Sequence, residues 1–163
     1  MTPDPYRVWL SEVMLQQTTI PHATPYFERF VARWPTVEKL AGASWDDVSA
    51  AWAGLGYYSR ARNLHAAARA IIENHAGQFP TTPEAMERLP GIGRSTAAAI
   101  AAFSFGQRCA ILEGNVKRVL ARHGGIAGWP GDKKVEKALW QRAEACLPRR
   151  DIEAYTQGMM DLG

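Results

Sequence analysis

Apolar residues recur at three- and four-residue spacing along nearly the whole chain, and this period constrains the fold before any motif is considered. It runs through Tyr6 to Thr18, Pro25 to Arg33, Ser44 to Ala53, Ser59 to His75, Arg94 to Phe105, Asn115 to His123, Lys133 to Cys146 and Ile152 to Leu162. No stretch alternates convincingly with a period of two, so an all-α architecture is expected. The breaks carry suitable punctuation. Thr36, Ser44 and Thr82 are predicted N-caps, and Pro35, Pro80 and Pro83 sit at or just outside helix starts. Many short helices joined by short loops follow, with Gly128 to Gly131 as the clearest longer turn. Trp9, Trp34, Trp45, Trp52, Trp129 and Trp140 sit mostly at helical spacing and are assigned to the core rather than to base stacking.

With 163 residues, 47% of them apolar, the chain can bury a real core as one domain or two closely packed lobes. Nineteen Lys and Arg against 16 acids give a net charge of +3, which permits a polyanionic partner without demanding one. No run of 18 apolar residues occurs, and Asp4, Arg7 and Glu12 interrupt the N-terminus. Neither a membrane span nor a signal peptide fits, and a bacterial-type cytoplasmic location is expected. Cys109 and Cys146 lack CxxC spacing and are expected to be buried, reduced thiols, with no metal site.

The segment LPGIGRSTA, Leu89 to Ala97, is the most informative motif. A Pro-Gly-x-Gly turn opening directly into an alanine-rich helix leaves backbone N–H groups pointing outward at the positive end of a helix dipole. Such a turn suits a phosphate. After the helix comes ILEGNVKRV, Ile111 to Val119, in which the lone carboxylate of Glu113 precedes a basic cluster of Lys117, Arg118 and Arg122.

Glu12 lies in YRVWLSEVMLQQT with Val8, Trp9 and Leu15 as helical neighbours, on or beside an apolar stripe. Two readings stand: a dehydrated carboxyl held protonated for general acid catalysis, or a side chain reaching solvent at the stripe's edge. Gln16 and Gln17 follow one turn later, either as solvated surface or as a pair that hydrogen-bonds a base or wedges into a duplex. GLGYYSRARNL, Gly54 to Leu64, interleaves Tyr57 and Tyr58 with Arg60 and Arg62. Rings that stack on bases beside cations that meet phosphates suit nucleic-acid contact. Two tyrosines half-buried at a helix start are the alternative.

LPGIGRSTA resembles a helix-hairpin-helix signature. Together with SEVMLQQT, GLGYYSRARNLH, ILEGNVKRVLAR and the terminal MMDLG, it makes essentially the whole chain similar to the MutY-type adenine DNA glycosylases. The resemblance implies a bilobal, all-helical fold of the endonuclease III type, with DNA across the cleft and the target nucleotide flipped out. Residues 1–107 are expected to form a six-helix lobe, with the hairpin at about 86–105, and residues 108–163 an incomplete second helical lobe. By the same resemblance Glu12 protonates the adenine N7. Glu113 stabilises or traps the oxocarbenium-like sugar, with support from Asn115. Gln17 fills the gap or touches the mispair, a tyrosine of the Tyr57 and Tyr58 pair intercalates, and Gln16, Arg60, Arg62 and Lys117 meet the DNA. Leu89, Gly91, Gly93, Arg94 and Ser95 of the hairpin also bind it. The implied partner is double-stranded DNA carrying adenine opposite 8-oxoguanine or guanine, and the implied state is a monomer. In related bifunctional glycosylases a lysine occupies the place of Ser95 and forms a Schiff base. Serine cannot, so base release without strand cleavage is implied, and a pyrimidine-lesion glycosylase with lyase activity is disfavoured.

Two departures qualify the carry-over. The family's aspartate in ILDGN is Glu113 here, one methylene longer. A misplacement of about 1 Å can cost on the order of 100-fold in rate, so impaired catalysis is expected, and a duplex- or mispair-binding fragment is the alternative function. The family's [4Fe-4S] cluster is held by four cysteines beyond DLG and is often followed by a domain that reads 8-oxoguanine. Neither follows Gly163, so this chain is expected to carry no cluster and to represent a core fragment, with part of the N-terminal helix also lacking.

Overall fold

The computed structural model describes residues 4–107, 117–120, 122, 133–147, 154 and 157–158. Among these residues all regular secondary structure is helical. Seven helices precede residue 107: α1 (Pro5–Leu15), α2 (Ile20–Arg33), α3 (Val37–Ala41), α4 (Trp45–Trp52), α5 (Tyr58–His75), α6 (Pro83–Glu87) and α7 (Arg94–Phe105). Residues 117–120 are helical, and α8 spans Lys133–Ala145.

The expected caps form. Thr36, Ser44 and Thr82 each accept from the backbone N–H three residues on, Lys39 at 3.3 Å, Asp47 at 3.1 Å and Ala85 at 3.3 Å. Asp4 caps α1 by accepting from the N–H two residues on, that of Tyr6, at 3.2 Å, with Pro5 in the first turn. Two differences from the sequence reading have simple causes. The five-residue α3 and α6 are too short to display a period, so the five periodic stretches before residue 107 become seven helices. α2 begins at Ile20 rather than at Pro25, because Pro21 supplies a favourable first turn and Pro25 is accommodated inside the helix.

The larger core cluster joins α1 to α7 around Trp9, Phe30, Trp52, Leu64 and Ile71, all fully buried. Phe30 meets Trp34 and Trp52 edge-on, with ring centroids 5.0 and 5.8 Å apart. Large side chains buried to this extent each stabilise the fold by roughly 1.5–3 kcal/mol. Trp9, Trp34 and Trp52 are thus core residues, as expected; Trp45 and Trp140 are half-buried, and Trp129 lies outside the described residues.

A second cluster gathers Leu120, Leu139 and Ala143 against Ala98 and Ala99 of α7. Ala97, Ile100 and Ala101 of the same helix belong to the first cluster. Alanine permits both: α7 is buried on opposite sides because its small side chains let neighbouring elements approach closely. The expected turn at Gly128 to Gly131 and Cys109 lie outside the described residues, as does most of the predicted helix at 152–162. Cys146 is a free thiol, half-buried rather than fully so.

Candidate nucleic-acid interface and active-site cleft

The hairpin is built by α6, the turn through Gly93, and α7. Leu89 and Ile92 anchor the turn by burying their side chains, while Gly91 and Gly93 remain exposed. Gly91 adopts φ +76°, and a Cβ there would lie 2.8 Å from Asn63 Cβ on α5, so both conformation and close approach call for glycine. A Cβ at Gly93 would meet nothing within 4 Å. Gly93 is the N-cap of α7 and offers no side chain to its amides; no acidic residue occupies the first turn. The N–H groups opening α7 form a positive terminus shaped for an anion.

Helix α1 packs against α7. Gln16 Nε2 donates to Thr96 Oγ1 at 3.3 Å, directing this face of α1 at the start of α7. Glu12 lies one turn earlier on the same face and is half-buried between the core residues Trp9 and Val13. Ser95, also half-buried, neighbours Thr96 in the first turn of α7. A cavity of about 860 Å³ opens here, lined by Gln16, Gly93, Ser95 and Thr96 on one side and by Lys137 and Trp140 of α8 on the other. Its contribution from α8 was not foreseen, although Lys133, Lys137, Trp140 and Glu144 recur at helical spacing along one face. Glu113 and Asn115 lie outside the described residues; Lys117 is half-buried at the start of the helical segment 117–120.

Three expected DNA contacts are otherwise engaged. Leu89 is only 5% exposed, because an apolar side chain at this place in the turn inserts into the core. Arg94 stacks its guanidinium 3.6 Å above the Trp140 ring and pairs with Glu144 at 2.5 Å, linking the hairpin to α8. Arg60 is buried, at 8% exposed. Its Nη1 donates to the carbonyls of Val13 (2.9 Å) and Met14 (3.0 Å), and its Nη2 to Thr18 Oγ1 (3.2 Å), Gly56 O (3.2 Å) and Leu55 O (3.5 Å). Burial pulls its pKa below the ordinary guanidinium value, opposed by nearby Tyr57. Arg60 is thus a strut of the fold and not a surface cation, because carbonyls at the end of α1 and in the turn before Tyr57 lie within reach of its fork.

Gln17, Tyr57, Tyr58 and Arg62 remain exposed. Tyr57 and Tyr58 are 60% and 46% exposed, and Arg62 lies 5.4 Å above the Trp45 ring.

A family model described as the HhH-GPD superfamily base excision DNA repair protein matches residues 10–145. The chain belongs to this superfamily. Among HhH-GPD relatives, it is 47% identical over 158 residues to the adenine DNA glycosylase of Buchnera aphidicola subsp. Acyrthosiphon pisum, covering 97% of this chain and 45% of that protein. It is 43% identical over 159 residues to the Homo sapiens adenine DNA glycosylase, covering 97% of this chain and 29% of that one. The chain therefore spans less than half the length of these curated relatives. A thermostable thymine-DNA glycosylase superposes with a TM-score of 0.88 at 28% identity, covering 98% of this chain and 74% of that one. An endonuclease III trapped on DNA superposes at 0.86 with 20% identity, covering 100% and 75%, and shows the shared HhH-GPD fold. The expected endonuclease III-like, all-helical fold is borne out.

The iron–sulfur cluster implied by the resemblance does not fit this chain's residues. Two cysteines cannot supply four thiolates, and among the described residues no three His, Cys, Asp or Glu side chains gather to hold a metal. No helix among the described residues is long and apolar enough to cross a membrane.

Proposed function

We propose that the chain is the core of a monofunctional DNA glycosylase that removes adenine mispaired with 8-oxoguanine or guanine. The carrying observation is the approach of α1, with half-buried Glu12 on its packed face, to the uncapped N-terminus of α7, where Ser95 stands and no lysine. In this reading the outward amides at Gly91 and Gly93 grip a backbone phosphate, and Arg94, Arg62 and Lys117 add positive charge along the duplex. Gln17 with Tyr57 and Tyr58 enters the stack beside the extruded adenine.

Glu12 gives its proton to the adenine N7 as the glycosidic bond breaks, so that the bonding electrons leave with a neutral base. The deoxyribose becomes oxocarbenium-like. The Glu113 carboxylate stabilises it, supported by Asn115, until water adds at the anomeric carbon and releases a proton. The product is free adenine and an abasic site, with both strands intact. The domain division near residue 107, the monomeric state and a cytoplasmic site of action at the nucleoid belong to the same proposal.

The test is single-turnover release of adenine from a duplex with one A opposite 8-oxoguanine, comparing the parent chain with Glu12→Gln and Glu113→Asp. Release by the parent, abolished in Glu12→Gln, supports the assignment. If only Glu113→Asp releases adenine, the longer side chain silences the site and the chain is a binding core. Release by none of the three, with binding to the duplex retained, gives the binding-fragment reading outright.

A further inference from the structure

Resting on the DNA-facing reading of the two exposed turns above, we infer that Arg60 is a positioning residue that holds the Gln17 turn and the Tyr57 turn in one fixed register. The two turns come from distant parts of the sequence, between α1 and α2 and between α4 and α5. The large exposed hydrophobic residues of the described chain, Leu15, Ile20, Tyr57 and Tyr58, all flank these two turns. Each turn also holds a residue other than glycine in the left-handed region, Gln17 at φ +57° and Tyr57 at φ +50°. Such conformations persist only where surrounding contacts over-determine them.

Arg60 supplies those contacts from a single planar group. One arm binds the carbonyls of Val13 and Met14 in the last turn of α1 and the other reaches across to Thr18, Leu55 and Gly56, so residues on both sides of Gln17 and those preceding Tyr57 share one guanidinium. Trp52 lies 5.2 Å from that group and Tyr57 5.5 Å, which restricts its plane. Within the first turn the closing backbone hydrogen bond, from Thr18 N–H to Leu15 O, is long at 3.4 Å. Tyr26 Oη on Ala53 O (3.0 Å) and His22 Nε2 at Gly54 O (3.2 Å) tie α2 to the start of the second turn, while Arg60 joins the residues next to Gln17 to those next to Tyr57. A lysine retains the charge but not the five-donor fork.

The consequence concerns recognition: two elements that enter a base stack from separate loops must keep their separation to read one unstacked step. The experiment follows backbone amide exchange of the folded chain, together with affinity for duplexes with A opposite 8-oxoguanine and with a matched pair. In Arg60→Lys, exchange at Gln17–Thr18 and at Gly56–Tyr58 should accelerate together, on the order of tenfold, while α7 stays protected. The mispair-to-matched affinity ratio should fall by a similar factor, with matched-duplex affinity held. Thr18→Val removes one strut and should loosen the first turn alone. Exchange unchanged at either turn in Arg60→Lys, or both turns loosened with selectivity intact, overturns the inference. If Arg60→Lys fails to fold, Thr18→Val decides, since unaltered exchange at Gln17–Thr18 also overturns it. A parent chain that does not prefer the mispair defeats the glycosylase reading, while the paired exchange response still decides the role of Arg60.

Discussion

Gln16 and Thr96, eighty residues apart in sequence, meet through a 3.3 Å hydrogen bond that sews the end of α1 to the first turn of α7. It fixes the helix that carries Glu12 relative to the N–H groups that open α7. Thr96→Val keeps the shape and removes the acceptor. A loss of about 0.5–1.5 kcal/mol in denaturant unfolding is expected. Single-turnover adenine release should fall further than that loss of stability explains, because a slight tilt of α1 displaces Glu12, the proposed acid.

Gly91→Ala introduces a Cβ 2.8 Å from Asn63 Cβ at a backbone φ of +76°. Destabilisation of roughly 1–3 kcal/mol is expected, measured by thermal unfolding. Asn63→Ala in the same chain should recover little of this loss, because the Cβ that the new methyl meets remains and the backbone strain is untouched. Affinity for any duplex, mispaired or matched, should weaken in Gly91→Ala.

Glu144 neutralises Arg94 beside the hairpin. Both partners are about half exposed, at 48% and 58%, so Glu144→Gln should change stability by no more than about 0–1 kcal/mol. Its effect should appear in DNA binding: with the guanidinium freed, duplex affinity should rise several-fold at low salt. The plot of log affinity against log salt should steepen by about one counterion. An unchanged slope would mean that Arg94 stays on Trp140 and meets no phosphate.

His65 is buried, with Nε2 2.8 Å from the carbonyl of Ala43 and its ring stacked near Trp45. Burial lowers its pKa from the ordinary 6.5, opposed by the hydrogen bond to Ala43 and assisted by Arg69. The unfolded chain therefore binds a proton more readily than the folded one. Stability contributed by the neutral ring is full above the ordinary imidazole value and declines as pH falls below it. Denaturant midpoints measured from pH 7 to pH 5 should drop, and His65→Gln should flatten that slope.

Most of this architecture was legible as pattern. Thr36, Ser44 and Thr82 mark helix starts because short hydroxyl side chains satisfy amides locally, and local chemistry is visible in a linear sequence. α7 was predicted with both ends correct, since glycine stands on each side of it. Arg60 was misread for the opposite reason. In GLGYYSRARNL nothing separates an arginine that meets phosphate from one that binds carbonyls, because the carbonyls of Val13 and Met14 arrive from α1, far away in sequence. Arg94 was likewise read alone, while Trp140 and Glu144 lay on a helix whose packing no local rule foretold.

Neighbouring alanines of α7 face different cores, Ala97 one and Ala98 the other. A wall common to two rooms cannot be removed from one of them only. Heat or denaturant that opens either cluster strips contacts from the same helix that the other requires, so the two should melt in a single transition reported identically by tryptophans at both ends. A bulky side chain at Ala98 would likewise be registered on the far side of the helix, around Trp9 and Leu64, by residues it never touches.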